Sequence, residues 1–100
     1  MRKIINRKAY DTSTAKLLTV WDNGCSPSDF GYTSESLYIK RTGEYFIHGE
    51  SNASGKYANF SYGMYGHGED ITPLTKEEAM EWVERRANDE YENIFGKVEE

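Results

Sequence analysis

A single cysteine, Cys25, rules out an internal disulfide and fits a reducing compartment. No apolar run is long enough to cross a bilayer, and the opening MRKIINRKAY lacks the continuous apolar segment of a secretion signal, so a cytoplasmic protein is expected. The chain has no Gly-x-Ser-x-Gly elbow and no oxyanion-loop pattern. Gly63, Gly66 and Gly68 do not stand between a strand and a helix at phosphate-loop spacing, which leaves nucleotide binding without support. Repeats of solenoid period and interdomain linkers are also missing. These absences predict a protein that is not an enzyme and needs no cofactor.

What is present describes one domain covering residues 1–100, long enough for a single modest core. With 37% hydrophobic and 29% charged residues the chain reads as globular, and 14% aromatics argue against disorder. Eight of the aromatics are Tyr, whose apolar ring and polar tip suit a core rim or an interface. Charge is unevenly divided. Residues 69–100 hold four Lys/Arg against eleven Asp/Glu, a balance of −7, whereas residues 1–68 hold eight against six. A field of that sign repels nucleic acid and attracts basic protein surfaces, including the grooves that nucleic-acid enzymes present to phosphates.

Ile71 to Phe95 is predicted to be mostly helical. Thr75 and Glu78 have the spacing of a capping box, and Pro73 favours an extended entry. At about 100° per residue, Ala79, Met80, Trp82, Val83, Arg86 and Ala87 share one side, while Glu77, Glu81 and Glu84 lie opposite. Asp89 and Glu92 repeat the cap-plus-acid spacing before Tyr91, Ile94 and Phe95, with Gly96 as a stop, so a kink or second short helix follows. A helix of this length needs a surface to pack on.

The first seventy residues supply it. Lys3–Asn6 and Ala9–Asp11 read as extended pieces of a hairpin, and Ala15–Trp21 as a strand closed by the turn residues Asp22, Asn23 and Gly24. An irregular loop runs to about Thr33. Leu37–Arg41 and Glu44–His48, joined through Thr42 and Gly43, predict an antiparallel hairpin with Leu37 and Ile39 on one side. From Gly49 to Gly68 five glycines interrupt any period. A short strand near Tyr57–Tyr62 is expected there, with Gly63–Gly68 as a loop. The fold class is therefore α+β: a small antiparallel sheet with one C-terminal helix, kinked or followed by a short second one, packed across it.

Three groups of residues are candidates for chemistry. Cys25, His48 and His67, with an Asp or Glu, are the chain's available zinc donors, although their spacing matches no compact ligand pair. Cys25 with His48 and Asp22 is the one arrangement to try for nucleophilic catalysis. The stretch from Tyr57 through Phe60 and Tyr62 to Tyr65 is the better candidate for binding, because rigid aromatic rings give large contact area and flanking glycines admit a partner closely. Only Lys56 lies nearby to help stack nucleic-acid bases.

Tyr10-Asp11-Thr12, Trp21 with Asn23-Gly24, Thr42-Gly43-Glu44-Tyr45-Phe46, His48-Gly49-Glu50, Lys56-Tyr57-Ala58, and Pro73-Leu74-Thr75 with Glu77-Glu78-Ala79 and Glu81-Trp82 resemble a family of short acidic proteins of Gram-positive bacteria, their prophages and other mobile elements. The resemblance covers most of the chain and its motifs are structural. It implies an inhibitor of host defence, of the anti-CRISPR kind, working in the cytoplasm of the host bacterium. Taken with the charge balance, the expected function is inhibition by occupancy. The face of Glu77, Glu81 and Glu84 would dock on a basic nucleic-acid-binding surface of a host defence protein such as a CRISPR effector nuclease, and Tyr57, Phe60, Tyr62 and Tyr65 would add contact area. No direct contact with nucleic acid or membrane is expected. A zinc-binding protein using Cys25 and the histidines, or an interaction module of another kind, is the alternative.

Overall fold

The strands β4 (Thr33–Ile39) and β5 (Tyr45–Ser51) carry the apolar runs Leu-Tyr-Ile and Tyr-Phe-Ile, which alternate too little for a sheet with one wet face. The computed structural model, which describes residues Met1–Glu100, shows why. These strands are central in a four-stranded antiparallel sheet of order β3-β4-β5-β8, with β3 at Lys16–Asp22 and β8 at Gly68–Leu74. Leu37 pairs with Ile47 and faces Ala79, Trp82, Val83 and Ala87 on one side. On the other side Phe46 and Ile71 pack under Tyr10. The sheet is thus a middle layer, with helix α1 (Lys76–Arg86) on one face and the hairpin of β1 (Arg2–Ile5) and β2 (Lys8–Asp11) on the other.

Helix α1 begins with the capping box: the Glu78 amide donates to Thr75 Oγ1 at 3.1 Å, and the Thr75 amide donates to Glu78 Oε1 at 2.9 Å. Ala79, Trp82, Val83 and Ala87 are buried as their spacing predicts. Arg86, placed on the same side by the wheel, is exposed, and its guanidinium lies 3.9 Å from the centre of the Trp21 ring. A 3-10 turn at Asn88–Glu90 leads into α2 (Tyr91–Phe95), which ends at Gly96 with φ of 95°. No side chain caps α2, so the expected Asp89–Glu92 cap does not form.

The extended entry expected at Pro73 is the end of β8, where Pro73 is tolerated because β8 is an edge strand. Two expectations need correction. Gly63–Gly68 is not a loop. Met64–Gly66 forms β7, paired with β6 (Asn59–Ser61), and Gly68 opens β8. The turn of this hairpin puts both Tyr62 and Gly63 in the left-handed region, φ 52° and 76°, which is the geometry of a two-residue hairpin turn with Tyr where Asn or Gly is usual. The N-terminal hairpin turns in the same way at Asn6 and Arg7, φ 50° and 65°. Finally, the central hairpin is longer than predicted, beginning at Thr33 and ending at Ser51.

Candidate functional site

The β6–β7 hairpin stands clear of the three layers. Phe60 is directly opposite Tyr65, their rings 4.9 Å apart, and this cross-strand pair is the hairpin's own stabilisation. Phe60, Met64 and Tyr65 are each at least 60% exposed, and Tyr62 at the tip is fully exposed. Four large exposed side chains are thus gathered on one short hairpin.

Tyr57 belongs elsewhere. Its hydroxyl donates to Glu35 Oε2, and its ring lies against Gly49, where any Cβ would collide with it. A Cβ on Gly68 would strike the Tyr57 backbone. The Tyr57 amide also donates to Ser51 Oγ at 2.8 Å. Tyr57 therefore anchors the root of the hairpin instead of joining Phe60, Tyr62 and Tyr65 on its free surface.

Glu35, missed in the sequence, is the hub of this anchor. Only 4% exposed, its carboxylate receives Trp82 Nε1 from the helix at 2.9 Å, the Tyr57 hydroxyl, and Lys56 Nζ at 3.4 Å. Burial pushes its pKa up, but the bonds from Tyr57 and Trp82 and the charge of Lys56 together outweigh burial and hold it below the ordinary carboxylate value. Desolvation first, then the bond to Glu35 and its charge, pushes the Tyr57 phenol well up. A cleft of about 250 Å³ opens beside this group and reaches Glu81 and Arg85 on α1. The hairpin root and the outer face of the helix are thus neighbours.

Glu77, Glu81 and Glu84 are all exposed on that outer face, as predicted. None makes an ion pair within the chain. Arg85 interrupts the row, so the face is acidic without being uniformly so.

The zinc set of Cys25, His48 and His67 does not assemble, nor does Cys25 with His48 and Asp22. Cys25 stays in the loop after β3, where its amide donates to Asn23 Oδ1. His67 instead meets Glu50 and Glu69, and His48 Nε2 lies 3.3 Å from Glu69 Oε1. The signal was in the chain: the tripeptide His-Gly-Glu occurs at both 48–50 and 67–69. Comparison with protein-family models, curated proteins and solved structures finds no match to this chain.

Proposed function

We propose that this chain is a protein-binding inhibitor that acts by occupancy, covering a basic nucleic-acid-binding surface of a bacterial defence nuclease, with a CRISPR effector nuclease as the foremost target. The observation that carries the reading is the free β6–β7 hairpin, whose Phe60, Tyr62 and Tyr65 have no partner in the fold outside the hairpin itself. Aromatic anchors of this kind dominate protein interfaces. The unpaired carboxylates of Glu77, Glu81 and Glu84, of which Glu81 lines the cleft at the hairpin root, supply the sign of charge that a phosphate-binding groove attracts. The choice of target follows from the resemblance to mobile-element proteins read in the sequence.

The test is direct binding to purified CRISPR effector nucleases, with and without guide RNA, together with competition against the nucleic acid. Inhibition by occupancy requires competition. Replacing Phe60, Tyr62 and Tyr65 by Ser is expected to weaken binding about tenfold or more. Because that also removes the cross-strand pair that holds the hairpin, Tyr62→Ser alone, which spares the pair, is expected to weaken binding with the thermal midpoint unchanged. Reversing Glu77, Glu81 and Glu84 to Lys is expected to weaken it further and to flatten or invert its salt dependence. Absence of binding to every effector tried, or binding that leaves nucleic-acid affinity untouched, refutes the reading.

A further inference from the structure

The two His-Gly-Glu tripeptides are brought together by strand pairing. Glu50 of β5 lies directly opposite Glu69 of β8 in an antiparallel register, so the tripeptides are related by a local two-fold axis between those two residues. Residues two apart in a strand share a face. Both carboxylates and His48 therefore stand on one face, and His67, the residue just before β8, reaches the same carboxylates from the other end.

The glycines have a packing reason, since Tyr57 crosses the reverse face at Gly49 and Gly68. His67 and Glu69 are exposed and Glu50 partly so, and like charges directly opposite across a strand pair repel. A divalent cation between the carboxylates would turn that repulsion into binding energy. One donor atom from each of Glu50, His67 and Glu69 already lies within 4.8 Å of the others.

The imidazole is also set for a metal from outside the group. Asn52 donates through Nδ2 to the carbonyls of Pro27 at 2.8 Å and Asp29 at 2.7 Å, which fixes its amide. Its Oδ1 consequently faces His67 Nδ1 at 3.3 Å. An acceptor there requires the proton on Nδ1, so that in the neutral ring the Nε2 lone pair is on the side of Glu50, 3.8 Å away. Histidines that bind metals are oriented in this manner.

We propose that Glu50, His67 and Glu69 bind one first-row divalent cation, zinc being the one suited to mixed imidazole and carboxylate donors. Asn52 and His48 are positioning residues, holding His67 and Glu69, and the fourth coordination position is open to water. The site is independent of the proposed inhibition.

Untagged, chelator-treated protein titrated with zinc chloride in a calorimeter is expected to bind one equivalent. Imidazole 15N spectra should show the His67 Nε2 resonance shifting on loading. His67→Ala and Glu69→Gln, both exposed positions whose folding is checked by thermal midpoint in chelator, should each weaken binding about tenfold or more. Asn52→Ala should weaken it by about 10- to 100-fold, and Cys25→Ser should leave it unchanged. The proposal is overturned by lack of saturation at millimolar zinc, by binding that survives His67→Ala combined with Glu69→Gln, or by binding lost in Cys25→Ser.

Discussion

Glu35 joins helix α1 to the segment that roots the hairpin, and its contacts are charge-assisted. Hydrogen bonds to a buried charge contribute about 1.5–3 kcal/mol, so Tyr57→Phe and Glu35→Gln are each expected to cost about that much in chemical denaturation. The double variant should lose less than the sum, because both changes remove the same bond. The pH dependence has a definite sign. A carboxyl held below its ordinary value of 4.5 in the folded chain adds stability above that value and loses it as pH falls through the folded one. Glu44 acts on the same side, its carboxyl held at about 2 by Lys8 first and then Thr42. Glu35→Gln should therefore unfold less steeply in acid than the parent. Nothing local marked Glu35 as buried. It shares a face with Leu37, two residues on, but a carboxylate on an apolar stripe gains its meaning only from donors 22 and 47 residues away.

At the scale of elements, legibility followed locality. Helix α1 was readable because its cap, apolar face and acidic face all lie within a dozen residues. Thr75→Ala is expected to cost about 1 kcal/mol through the lost cap. Trp82→Ala should cost about 3 kcal/mol or more, since Trp82 is 5% exposed and leaves both a cavity and an unpaired Glu35 oxygen. An unchanged thermal midpoint in Trp82→Ala would contradict the packing described. Strands β7 and β8 were missed for opposite reasons. The Tyr62–Gly63 turn lacks Asn-Gly chemistry, and β8 borrows its identity from β5, the partner that makes Pro73 an edge residue. The zinc donors went unpaired in the sequence for the same reason, since strand register, and not spacing, brings His67 to Glu50.

At the scale of the molecule, β5 lies between layers drawn from opposite ends of the chain. Residues 2–11 cover Phe46 and residues 76–86 cover Ile47. Lys3 of the first layer also bonds Asp70 of β8, 67 residues later. During synthesis, β1 to β5 leave the ribosome well before β8 and α1. Until the last third of the chain emerges, β5 has one open edge, and Leu37 and Ile47 face water. An open edge next to bare apolar side chains is a template for association between chains. Nascent chains stalled before Gly68 are therefore expected to be captured by chaperones or cleaved in a protease pulse, and chains released past Phe95 to resist both. Translation speed through the codons for residues 52–75 then becomes a determinant of yield, set by where one strand finds its second neighbour.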